Sequence, residues 1–145
     1  MTAKFRHRIL VGCTALITGL GLWSAQANVP STLITQGDQQ WAAGQLDQAK
    51  KSFEQAVAIE PTSVGAHMKL AGLQLARQDF KVCIDTYQRT IGLDANIARA
   101  CLGLGFAYLH TGQNALSLAA FNEAVRIDPG NREKLAPVLA KLGTP

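Results

Sequence analysis

Cys83, Cys101, His67 and His110 are the side chains beyond the N-terminal segment best suited to nucleophilic or metal chemistry. A thiol beside an imidazole makes a nucleophile pair, and four thiolates or imidazoles would hold a structural zinc. The spacing offers neither. There is no CxxC and no HxxxH, and His67 and Cys101, 34 residues apart, supply only two ligands. The glycines form no phosphate-binding loop after a strand. Glu60 and Asp128 each precede a proline and read as solvated turn residues, so no pair of carboxylates shares a cleft. The expectation is a chain with no catalytic residues, no metal and no cofactor, and attention moves to the elements that would carry these residues.

The first 27 residues read as a targeting segment. Lys4, Arg6, His7 and Arg8 form a basic start, residues 9–23 carry no charge, and Ala25-Gln26-Ala27 offers small side chains for cleavage after Ala27. The uncharged run is shorter than the roughly 20 residues of a spanning helix, and Gly12, Gly19 and Gly21 weaken it as a helix. Export to a bacterial periplasm or medium is therefore expected, with an uncleaved anchor as the alternative. Leu10-Val11-Gly12-Cys13 resembles a lipobox, but the apolar run before Cys13 is too short to insert. Loss of this segment takes the 14 basic residues to 11 against 10 acidic ones, so the net charge falls from +4 to +1. The remaining charges are scattered, which excludes the clustered basic face of a nucleic-acid binder.

The stretch GQLDQAKKSFEQAVAIEP, from Gly44, returns 68 residues later as GQNALSLAAFNEAVRIDP, from Gly112, with seven of eighteen positions identical. A fainter copy, QDFKVCIDTYQRTIGLDA, starts midway at Gln78. Aromatics recur at Phe53, Tyr87 and Phe121, small residues at Gly37, Ala71 and Gly105, and aliphatics at Ile59, Leu93 and Ile127. A period of 34 means stacked units, each unable to bury its apolar face alone. Each copy holds two helical patterns. Gly44 and Gly112 divide them, Gln78-Asp79 does so less well, and Glu60-Pro61 and Asp128-Pro129 end the second. Ser31, Asp47 and Asn131 are candidate N-caps.

In the third copy Gly105, Tyr108, Gly112, Ser117, Phe121, Ala124 and Pro129 follow the pattern small, aromatic, Gly, small, aromatic, Ala, Pro. The first copy has Gly37, Gly44, Ala49, Phe53, Ala56 and Pro61, with Gln40 at the first-helix aromatic position; the second is degenerate. The chain thereby resembles the tetratricopeptide repeat family. The resemblance implies an all-α solenoid of three helix-turn-helix units over residues 30–63, 64–97 and 98–131. A capping segment over 131–145 would use Leu135, Val138, Leu139 and Leu142 as a lid, kinked or broken at Pro137. Phe53, Tyr87 and Phe121 should fill the gap towards the next unit.

Once the helices are laid antiparallel, Cys83 and Cys101 differ in height by about 12 Å, beyond the ~7 Å that a disulfide spans. Two buried free thiols are expected.

In this family the first helices of successive units line a concave groove. Here that register names Ile34, Asp38 and Trp41; Met68, Gly72 and Leu75; and Arg99, Leu102, Phe106 and Leu109. The face is mostly apolar, which suits an adaptable peptide surface, and Gly72 would let a ligand backbone approach the helix. Arg99 alone matches the family's carboxylate clamp, so that mode is not expected. The function read from the sequence is a non-catalytic, exported adaptor or assembly factor. It would hold an apolar helix or extended segment of another cell-envelope protein, without stable membrane insertion. The alternative is a self-associating module whose groove is buried in a homo-oligomer.

Overall fold

The structure, a computed structural model, describes residues 29–143. The expected signal segment lies outside the described residues. Those described form seven helices and no strand: α1 (Val29–Ala42), α2 (Leu46–Ile59), α3 (Val64–Ala76), α4 (Phe80–Leu93), α5 (Ala98–His110), α6 (Asn114–Ile127) and α7 (Asn131–Gly143). The fold is an all-α solenoid of three helical hairpins, α1/α2, α3/α4 and α5/α6, with α7 packed on α6.

Local chemistry ends each helix where the copies repeat. Gly44, Gln78 and Gly112 all take left-handed backbone, with φ of 75°, 65° and 74°. At all three the next amide closes a six-residue loop, from Gln45 N to Gln40 O (2.8 Å), Asp79 N to Gln74 O (2.9 Å) and Gln113 N to Tyr108 O (2.9 Å). The middle turn thus keeps the geometry without glycine, although a side chain there costs about 1 kcal/mol. The second helices stop at Glu60, Asp94 and Asp128, the last two with extended backbone. Proline follows two of them. At Asp94, where Ala95 follows, the carboxylate accepts from Asn96 N at 2.9 Å, the same turn that Asp128 makes with Gly130 N at 3.0 Å.

The expected caps are corrected. Ser31 and Asp47 lie inside the first turns of α1 and α2 rather than before them. Asn131 donates its side-chain amide back to Asp128 at 3.2 Å. Ser63, which the sequence reading passed over, caps α3 through Ala66 N. Helix α7 runs unbroken through Pro137; the proline is exposed, so the carbonyl it leaves unpaired can be solvated.

Packing follows the 34-residue period. Phe53, Tyr87 and Phe121 are buried. Phe53 lies against Gly37 and Phe121 against Gly105, in each case on the partner helix of the same hairpin, so close that a methyl group at either glycine would overlap the ring. In the middle copy the matching residue is Ala71, and Tyr87 rests instead on Gly103 of the next hairpin. Phe53 also joins Leu70 and Leu73 of the following unit, as a gap-filling residue should. At the base of each close contact in the later copies, a short side chain bonds the facing backbone: Cys83 Sγ to Ala71 O (3.5 Å) and Ser117 Oγ to Gly105 O (2.9 Å). Leu135 is buried against Phe121 and Val125, with Val138, Leu139 and Leu142 beside it, closing the stack.

Cys83 and Cys101 are buried free thiols. Phe80, at the start of α4, stacks on His110, at the end of α5, with ring centroids 4.8 Å apart. That pairing fixes the antiparallel register and keeps the two cysteines at different heights. Burial, assisted by Asp79, pushes the Cys83 thiol from an ordinary 9.0 up to about 12. Burial also pushes Tyr87 from 10.0 to about 12. Both groups hold their protons more tightly folded than unfolded, so their contribution to stability is complete below pH 9 and is lost as pH climbs towards 12. Thermal unfolding measured across that range should show a falling midpoint, and Cys83→Ala should flatten the part of the fall that begins near pH 9. Ala49 already occupies the equivalent place in the first copy.

Candidate partner-binding groove

The curvature of the stack follows from which helices touch. Helix α1 packs on α3 and α3 on α5, whereas among the described residues α2 does not pack on α4, nor α4 on α6. The first helices are therefore drawn together on the inner side of a curve and the second helices are spread on the outer side.

The residues assigned to the groove lie on the first helices α1, α3 and α5. Ile34, Asp38, Trp41, Met68, Gly72, Leu75, Leu102 and Leu109 are half-buried, and Arg99 and Phe106 are exposed. None belongs to the fully buried set on the same helices, such as Leu70, Ala71 and Leu73 on α3 or Ala100, Leu104 and Ala107 on α5. Trp41, Met68, Leu75, Leu102 and Phe106 each have one side anchored. Trp41 meets Phe53 edge-on, with centroids 6.4 Å apart, and Phe106 meets Phe121 likewise at 5.0 Å. Met68 and Leu75 rest on the central core, and Leu102 on the C-terminal one. Anchored on one side and open on the other, these side chains form a shaped surface that has already lost part of its conformational freedom.

Two features differ from the sequence reading. Gly72 is not a bare approach to the helix: the Trp41 indole lies above it, at the distance of ordinary van der Waals contact for an added methyl (3.5 Å). Asp38 is engaged by Lys69, whose Nζ lies 2.7 and 2.8 Å from its carboxylate oxygens, bridging α1 and α3 across the inner face. Both groups are partly exposed, so the pair contributes little stability. It does place a neutralised polar rim beside Trp41.

The groove also has an end that the repeat register could not reveal. Helix α7 follows α6 but does not pack on α5. Between them lies a cavity of about 580 Å³ lined by Leu109, Asn114, Pro137, Val138, Lys141 and Leu142. Among the described residues no group of three or more His, Cys, Asp or Glu side chains could hold a metal. Within the same residues no helix is long and apolar enough to cross a membrane.

Family models of the tetratricopeptide repeat match residues 40–96 and 98–131. The chain belongs to the tetratricopeptide repeat family. Among curated proteins it is similar to the Protein CTR9 homolog of Arabidopsis thaliana, at 28% identity over 107 residues. The match covers 73% of this chain but only 10% of that protein's length. Among solved structures it is similar to the first tetratricopeptide domain of Spaghetti (RPAP3) bound to an HSP90 peptide. There the TM-score is 0.75 at 16% identity, covering 79% of this chain and 90% of the other. The Yersinia enterocolitica type III secretion chaperone SycD, in complex with a peptide of the translocator YopD, superposes with a TM-score of 0.69 at 15% identity, covering 77% and 87%. MamA is 27% identical with a TM-score of 0.68, covering 75% of this chain and 64% of its own. The fold is thus shared with proteins of very different sequence.

Two glycines on the inner helices should respond in opposite ways to the same substitution. Gly72→Ala gains helix propensity, worth about 1 kcal/mol, and a contact with Trp41. Gly105→Ala drives a methyl into Phe121 and should cost about 1–3 kcal/mol. Urea unfolding of the two variants should move the midpoint up for the first and down for the second.

Proposed function

We propose that this protein is a non-catalytic adaptor or assembly factor that holds an apolar helix or extended segment of another protein in its inner groove. The observation that carries this reading is the row of half-open apolar side chains Trp41, Met68, Leu75, Leu102 and Phe106, each anchored from behind and open in front, with half-buried Leu109 beyond them. Monomeric proteins rarely leave such a surface continuous and uncovered. The adjoining cavity beside α7 lengthens it. Two structurally similar proteins were solved with peptides bound, which accords with a peptide as occupant. Arg99 at the exposed edge would orient the segment through an acidic or carbonyl group.

The place of action in this proposal is the cell envelope, where the partner would also reside. It is supported by the basic start, the uncharged run of residues 9–23 and the Ala25-Gln26-Ala27 site. Terminal sequencing of the protein isolated from cells should read from Asn28; a chain starting at Met1 would return the anchor reading.

The groove is tested by changing Leu75, Phe106 and Leu109 together to polar residues. The immobilised protein is expected to retain a defined polypeptide from an envelope extract. The triple variant should lose at least tenfold in retention, equivalent to about 1.4 kcal/mol, while its helical circular dichroism persists. Undiminished retention would remove the groove from the account. Light scattering across concentration separates this from self-association, in which the mass would rise towards a multiple of the chain and the triple variant would stay monomeric.

A further inference from the structure

The outer side of the curve carries a second, chemically different feature. Because α2 and α4 do not touch, a furrow runs between them with α3 as its floor. Two adjoining cavities occupy it, of about 270 and 310 Å³. His67, Val57 and Arg89 line both and mark where they join. Glu54, Gln74 and Asp85 line only the second, and Gly92 only the first. His67 and Gln74 point about 115° around α3 from Met68, Gly72 and Leu75, by the helical rotation, so the furrow is separate from the groove.

His67 and Gln74 are the observation that matters. They are 5% and 3% exposed, and His67 Nδ1 and Gln74 Oε1 are buried without a hydrogen-bond partner. A buried polar atom left without a partner keeps its full desolvation penalty. His67 Nε2 lies 2.9 Å from the Pro61 carbonyl oxygen, which only accepts. In the neutral ring Nε2 therefore carries the proton, and Nδ1 presents a lone pair. Both orphans thus ask for donors.

The other copies act as internal controls. Gln40, one period before Gln74, accepts from Ser52 Oγ at 2.7 Å. The residue matching Ser52 is Thr86, whose hydroxyl donates instead to Val82 O of its own helix at 2.9 Å. Tyr108, one period after Gln74, is satisfied by Gln88 Nε2 at 2.8 Å. Only the middle copy leaves its floor unpaired, and only there do two carboxylates, Glu54 and Asp85, flank it. Arg89, the one arginine on the lining, borders both cavities, so the second holds two carboxylates against one guanidinium, and Glu54 also lies 3.7 Å from Lys50 Nζ.

We infer that the furrow between α2 and α4 is a second docking site, one that takes an extended segment of a partner protein bearing an arginine. The guanidinium lies at the Gln74 end, donating to Gln74 Oε1 between Glu54 and Asp85, and a main-chain N–H of the same segment donates to His67 Nδ1. This accounts for the orphaned acceptors and for the acidic flanks together, and it does not depend on what occupies the inner groove.

The probe is N-acetyl-arginine methylamide, with N-acetyl-glutamate methylamide as its charge-reversed counterpart, titrated into the isotope-labelled protein and followed by NMR. The arginine probe should shift the Gln74 side-chain amide, the His67 ring nitrogens and the Asp85 amide saturably, and the glutamate probe should not. Glu54→Gln with Asp85→Asn, both exposed positions whose change leaves the core intact, should weaken the arginine probe about fivefold. Phe106→Ser, in the inner groove, should leave it unchanged. The inference is overturned if the arginine probe produces no saturable shift, which would mean that water satisfies both acceptors. It is equally overturned if the glutamate probe shifts the same signals, or if the doubly neutralised variant binds arginine as well as the original.

Discussion

A ring resting on bare backbone sets the distance between helices throughout this molecule. Phe53 on Gly37 and Phe121 on Gly105 leave no room for even a methyl group, so the two helices of each outer hairpin approach as closely as their main chains permit. That contact then recruits others. Ser117 reaches the Gly105 carbonyl only because the helices are close, and Cys83 reaches Ala71 in the same way. Tight packing inside each hairpin brings the first helices of successive hairpins into contact, and the stack has to bend. The middle copy departs from the rule in one respect. Its small residue is Ala71, and the Tyr87 ring is seated on Gly103 one hairpin further on. The central contact therefore ties two units together rather than closing one.

The bend divides the molecule chemically. On the inner side, where first helices meet, the side chains are apolar and half-open, suited to an occupant that contributes hydrophobic area. On the outer side, where second helices separate, the floor between α2 and α4 is polar and buried, suited to an occupant that contributes hydrogen-bond donors. The same helix, α3, supplies Met68 and Leu75 to one surface and His67 and Gln74 to the other. A single thirteen-residue segment thus serves two surfaces while Ala66, Leu70 and Leu73 hold a third face in the core, which is how a chain this small offers both without a second domain.

Much of this was readable before any coordinates. The 34-residue period, the two helices per copy, the buried aromatics and the separation of Cys83 from Cys101 all follow from patterns that depend only on backbone geometry and burial. That the ten candidate groove residues lie half-buried or exposed on the first helices follows from helical phase, which numbering supplies. What was not readable depended on which side chain found which partner. That Trp41 lies over Gly72, that Lys69 takes Asp38 out of play and that Ser63 caps α3 are outcomes of rotamer and register across different helices. The unpaired floor was further hidden, since it arises from Thr86 bonding its own helix where Ser52 bonds Gln40, a difference of one methyl group in the sequence. Proline at 137 does not break α7, because an exposed position lets water take the freed carbonyl.

Every helix here touches only helices one or two places away along the chain. A protein wired in this way closes only short loops as it folds, which favours rapid assembly, and its cohesion is a sum over adjoining pairs rather than a property of one shared centre. Damage at one terminus stays there, because no distant segment leans on it. The hairpin α3/α4, gripped from both sides, is the part that must remain whole for the outer two to stay joined.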